Sequence, residues 1–121
     1  MYDKNNVFAK ILRGEIPSKK IYENEHAVAF HDISPKAPVH ILVLPKGEYT
    51  DLLDFQLRAS GQEQSGFWNA VKSTVAAAGL ADHAYRCVAN TGAPMQEVFH
   101  FHLHLMADQP GKKSNDNWWV Y

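Results

Sequence analysis

The chain has 121 residues, 45% of them hydrophobic, 12% aromatic and 21% charged. That length suits one domain whose core stands without disulfide or metal staples, and that composition excludes disordered, collagenous and membrane-embedded classes. Twelve Lys and Arg against thirteen Asp and Glu leave a formal net charge of -1, so no basic field exists to hold a nucleic-acid backbone by counterion release.

Cys87 has no cysteine partner and is read as a small core hydrophobe in a reducing compartment. The amino-terminal stretch is interrupted by Lys10 and Arg13, unlike a signal peptide, and no window approaches the roughly 18 apolar residues of a membrane span. A soluble, cytoplasmic, single-domain protein over 1–121 is expected.

In chain order, Asn6 is a candidate N-cap before Val7, Phe8, Ile11 and Leu12 at helical spacing, and Gly14 stands where a glycine ends a short helix. Lys19 to Glu23 and Ala27 to His31, separated by Asn24-Glu25-His26, read as a hairpin. A loop rich in turn residues from Asp32 to Pro38 leads into Val39 to Leu44, an apolar central strand stopped by Pro45. From Leu52 to Ala78 the apolar spacing is helical, with Ser60-Gly61 as a point of interruption and Gly79 as the end. Tyr85 to Ala89 and Val98 to Met106 read as strands, and the polar tail 107–121 turns aromatic and apolar at Trp118-Trp119-Val120-Tyr121. The fold class expected is α+β: a mainly antiparallel five-stranded sheet with one long and one short helix. His26 and His83 are read as surface residues.

His100, His102 and His104 alternate with apolar residues. On a strand, period two sends the three imidazoles to one face and Phe99, Phe101, Leu103 and Leu105 to the other. Three accounts compete. The histidines are structural, or they ligate a metal, or they act on phosphorus. One shared ion does not fit all three, because His100 and His104 would lie about 13 Å apart at roughly 3.3 Å per residue, and no Cys pair or H-E-x-x-H adds ligands. For the third account, a neutral imidazole is a good nucleophile near neutral pH when its other nitrogen donates to a carbonyl. His102, in the middle, is then the natural nucleophile, with His100 and His104 binding phosphoryl oxygens or assisting the leaving group.

His100 through Met106 matches the pattern H-φ-H-φ-H-φ-φ, with φ apolar, and so resembles the signature of the histidine triad (HIT) superfamily. Phe8-Ala9-Lys10-Ile11, Gly14-Glu15-Ile16-Pro17, the block from Ala29 to His40 containing His31-Asp32-Ile33-Ser34-Pro35, and Tyr85-Arg86 look like blocks of its branch of histidine triad nucleotide-binding proteins. The resemblance covers about residues 7–106. It implies a homodimer that binds purine nucleoside monophosphates and hydrolyses nucleoside 5'-phosphoramidates through a nucleotidyl-histidine intermediate, with no cofactor and no metal. It assigns His102 as nucleophile, His104 as its partner on the phosphate, and His40 and His100 as the rest of a histidine cluster.

By the same resemblance Asp32 accepts the ribose hydroxyls; Phe8, Ile11, Ile16, Ile33 and Leu42 wall the base; and Asn90 lies near phosphate and sugar. Gln96, Glu97 and Val98 complete the binding set. Local sequence offers Asp32 a second role as an Asx-turn residue before Ser34-Pro35. Where relatives have a glycine-rich stretch ending in Gly-Gln-Ser, this chain reads Gly92-Ala93-Pro94-Met95-Gln96-Glu97. Met95 stands for a glycine and Glu97 for a serine that assists the leaving group, which bears on turnover and leaving-group preference. Alternative readings are dinucleoside polyphosphate hydrolysis and a low-turnover nucleotide-binding scaffold. A tail contact with the partner's pocket is also expected.

Overall fold

The structure is a computed structural model that describes residues 1–114 and 117–119; the tail reading at Val120 and Tyr121 lies outside the described residues. Helix α1, Val7–Leu12, starts where the Asn6 side chain accepts the Ala9 N–H at 2.9 Å. It ends at Gly14, whose φ of +80° lets the N–H groups of Gly14 and Glu15 turn back onto Ile11 and Lys10 at 3.0 and 2.9 Å. Strands β1, Lys20–Glu23, and β2, Ala27–His31, form the expected hairpin. Asn24 shapes its turn by accepting the N–H groups of His26 and Ala27 at 2.8 and 2.9 Å.

Strand β3, Val39–Pro45, is buried along its whole length, as an apolar strand covered on both faces must be. The helical run divides into α2, Leu52–Arg58, and α3, Gly61–Ala77. Three helices therefore replace the expected two. The break is a cap: Ala59 and Ser60 turn extended, and Ser60 and Glu63 exchange side-chain-to-backbone bonds in a capping box.

Strand β4 is Arg86–Val88 and β5 is Leu103–Ala107. The sheet order is β1-β2-β3-β5-β4 with every neighbour antiparallel. Helix α3 packs across β1, β2 and β3, and Ile41, Val43, Phe55, Phe67, Phe101 and Leu105 form the main core with it. The other face carries a smaller cluster of Phe8, Val28, Phe30, Leu42 and Leu44 beneath α1.

Four expectations are corrected here. The strand expected from Val98 begins only at Leu103, because the backbone before it finds other partners: Phe101 N–H bonds Tyr49 O at 2.7 Å, and Pro45 O accepts the His100 ring instead of a ladder N–H. Phe99, expected on the apolar strand face with Phe101, Leu103 and Leu105, is 43% exposed on this unpaired stretch. Cys87 is exposed, since β4 is an edge strand. His26 and His83 are half-buried, and His26 packs so closely on Gly66 that a Cβ there would approach its ring to 2.6 Å. Among the described residues, no helix is long and apolar enough to cross a membrane.

Candidate active site

The site forms on the sheet face that α1 shelters. Register decides its members, because residues opposite one another across an antiparallel pair share a face. Leu42 on β3 stands opposite Phe30 on β2 and His104 on β5; His40 stands opposite Met106, and Val88 opposite His104. Alternation along β3 puts His40 on the same side as Leu42. A cavity of ≈ 560 Å³ opens over these residues, within the roughly 300–1,000 Å³ typical of small-molecule sites.

The cavity is lined by His102, His104, His40, Asp32, Ile33, Phe8, Ile11, Ile16, Leu42, Asn90, Glu97 and Val98. Two residues named with them lie outside it. His100 is fully buried behind His102, and Gln96, only 3% exposed, braces the loop by accepting Gly92 N–H at 3.0 Å and donating to Thr50 O and Val98 O at 2.7 and 3.0 Å. Met95 is 73% exposed at the rim.

The ring protons can be assigned from partners that only donate or only accept. His102 Nδ1 lies 2.7 Å from the carbonyl oxygen of His100, so Nδ1 carries the proton and Nε2 keeps its lone pair. Lys36 N–H donates to His40 Nδ1 at 2.9 Å, so the neutral His40 ring has its proton on Nε2. That proton faces His104 Nδ1 at 2.9 Å, with Asp32 Oδ2 at 3.4 Å. His104 Nδ1 is thereby an acceptor, and its Nε2–H is a donor.

The rings of His102 and His104 are 5.0 Å apart at 65°, and Phe8 meets His102 edge-on at 4.8 Å. Neutral rings are what burial demands. Desolvation holds His40 and His102 below the usual imidazole range and pulls His100 and His104 down to about 4.

Asp32 fills the Asx-turn role, taking the Ser34 N–H on Oδ1 at 2.8 Å, while its Oδ2 faces His40. Asp32, His40 and His104 bring one potential ligand atom each within 4.8 Å of one another. This differs from the set weighed in the sequence, where the three triad histidines were too far apart. The Lys36 N–H on His40 Nδ1 keeps the proton on Nε2, so the latter nitrogen is a hydrogen-bond donor and must lose its proton before it can ligate.

Sequence reasoning missed Phe30, His31, Lys36, Val88, Met106 and Trp118 on the cavity wall. Phe30, Val88 and Met106 follow from strand register alone. Lys36, the only Lys or Arg among the lining residues, sits in the block that carries Asp32. Trp118 donates from Nε1 to Asp108 Oδ1 at 2.8 Å and lines the cavity of its own chain.

The model of the HIT domain family matches residues 13–111. A 13.2 kDa HIT-like protein of Azospirillum brasilense is 55% identical over 107 residues, 88% of this chain and 88% of that protein. Purine nucleoside phosphoramidase of Escherichia coli strain K12 is 37% identical over 109 residues, 88% of this chain and 90% of that enzyme. Among solved structures, a HIT family hydrolase from Clostridium thermocellum superimposes with a TM-score of 0.74 at 30% identity, covering 94% of this chain and 99% of that one.

Proposed function

This chain belongs to the HIT family, and on that premise we propose that it hydrolyses purine nucleoside 5'-phosphoramidates and related nucleotidyl esters through a covalent nucleotidyl-His102 intermediate. The observation that carries this reading is the proton arrangement: a buried neutral His102 whose Nε2 lone pair is free on the cavity wall, beside a His104 whose Nε2–H is a donor. The E. coli relative named as a phosphoramidase supports the substrate class.

His102 Nε2 attacks phosphorus and the P–N bond breaks. The positive charge left on the ring is delocalised to Nδ1–H, which is already bound to the His100 carbonyl and lies in the field of Asp32. His104 gives its Nε2 proton to the departing nitrogen, which leaves as the amine, and regains a proton from the water of the second step. Water then attacks the nucleotidyl-histidine and releases the nucleotide, freeing the ring. Asp32 accepts the ribose hydroxyls, for which a carboxylate has two oxygens, and Phe8, Ile11, Ile16, Ile33 and Leu42 wall the base. Lys36 adds positive charge toward the phosphate.

The active form is a homodimer; the open edge of β4, with exposed Cys87 and Tyr85 at 46% exposure, supports pairing between two copies. Met95 on the rim and the exposed Glu97 on the wall favour a second reading, a nucleotide binder of low turnover.

Purified protein given an adenosine 5'-phosphoramidate should release AMP, and a diadenosine polyphosphate should be spared. AMP from the polyphosphate alone points to the sister activity, and binding without release points to the scaffold. His102→Ala should lower turnover by about 10³-fold or more while circular dichroism stays unchanged; undiminished turnover rejects the nucleophile.

A further inference from the structure

The His100 ring is fully buried and has both nitrogens engaged: Nε2 lies 2.7 Å from Pro45 O, and Nδ1 lies 2.5 Å from the Tyr2 hydroxyl. A carbonyl only accepts, so the proton is on Nε2 and Nδ1 is a lone pair. The Tyr2 O–H must therefore be the donor. The backbone carbonyl of His100 accepts the His102 Nδ1–H, so the group that holds the nucleophile's proton belongs to a residue whose side chain is pinned at both ring nitrogens. The rings interlock as well, Tyr2 edge-on to His100 at 5.6 Å and Phe8 edge-on to His100 and His102 at 6.5 and 4.8 Å.

We propose that Tyr2 is a positioning residue for the nucleophile: its hydroxyl donates to His100 Nδ1, locks His100 in one tautomer and one orientation, and so keeps the His100 carbonyl aimed at His102 Nδ1–H. Without that donor the buried Nδ1 has no partner, and His100 gains a reason to rotate or change tautomer. The carbonyl then drifts, and His102 spends part of its time with the proton on Nε2, where it cannot attack. A tilt of this kind costs rate and leaves binding alone, because Tyr2 does not line the nucleotide cavity.

The catalytic half of this inference rests on the hydrolase reading; the tautomer half does not. The test compares wild type, Tyr2→Phe and Tyr2→Ala by nitrogen NMR of protein labelled at histidine, by AMP affinity, and by turnover of an adenosine 5'-phosphoramidate. Wild type should show His100 protonated at Nε2 alone and His102 at Nδ1 alone. Tyr2→Phe keeps the ring and should shift the His100 Nδ1 resonance, mix the His102 tautomers, leave AMP affinity within about twofold, and lower kcat by about tenfold. If Tyr2→Phe matches wild type in tautomer state and kcat while Tyr2→Ala does not, the ring acts by packing and the proposal is overturned. If wild type itself releases no AMP, the hydrolase reading fails, and the tautomer spectra still decide whether Tyr2 sets the state of His100 and His102.

Discussion

His102 combines two requirements that normally conflict. Burial keeps the imidazole neutral and nucleophilic, yet a buried polar nitrogen must have a partner. The His100 carbonyl satisfies Nδ1 and leaves Nε2 to the cavity. Because desolvation lowers the His102 pKa from its ordinary 6.5, the ring stays unprotonated below that pH. The acid limb of kcat/KM for phosphoramidate hydrolysis should therefore fall with a midpoint under 6.5, read from a pH profile in which substrate ionisation is controlled. A midpoint above 6.5 would mean that a charged partner outweighs burial at this ring. Asp32 shows how much one residue's role depends on its neighbours: local sequence presents a turn former, and the structure adds a carboxylate oxygen facing His40 and a wall of the cavity.

At the scale of elements, the short α1 with its two caps was legible because capping is local: Asn6 and Gly14 act on residues three to five positions away. The hairpin was legible for the same reason. The division of α2 from α3 was visible only as a weak point, since a capping box competes with continued helix and tertiary packing chooses between them. On α3, Thr74 is fully buried and its hydroxyl is the one buried side-chain polar atom without a hydrogen-bond partner among the described residues. Thr74→Val keeps the shape and removes the orphan, so it should raise stability by about 1 kcal/mol, measured by urea unfolding. A loss instead would show that the hydroxyl is satisfied in solution. The late start of β5 has an equally specific cause, for Pro45 O and Tyr49 O draw residues 100 and 101 away from the ladder.

For the whole molecule, buried neutral histidines make stability depend on pH. His100 has a folded pKa of about 4 against about 6.5 in an unfolded chain. The unfolded ring binds a proton that the folded ring refuses, so stability is intact above pH 6.5 and falls as pH drops toward 4. His100 alone accounts for about 2 kcal/mol lost by pH 5, and His40, His102 and His104 act in the same direction. Urea midpoints at pH 7.5 and 5.0 should differ accordingly, and His100→Gln should flatten the difference; equal midpoints would mean the ring protonates in place. The open edge of β4 belongs to this scale too. Sedimentation should give twice the chain mass, and Cys87→Arg, which sets a charge on the exposed edge, should shift it toward the monomer.

The amino-acid sequence by itself determined the caps of α1, the hairpin, the apolar central strand and the family to which the triad points, because each is written in spacings of a few residues that local stereochemistry reads directly. It also singled out the histidines, since their period of two is a pattern along the chain. Only the tertiary structure decided which nitrogens carry protons, that His100 and Gln96 stand behind the cavity, and that Cys87 is exposed. The proton on His102 is set two residues away and that on His40 four residues away, but the states of His104 and His100 and the place of Gln96 depend on strand register and on partners 46 to 98 residues distant, as in Gln96 with Thr50, His40 with His104 and Tyr2 with His100. A hydrogen bond across that distance exists only once the sheet has chosen its order, and no short-range pattern encodes that choice.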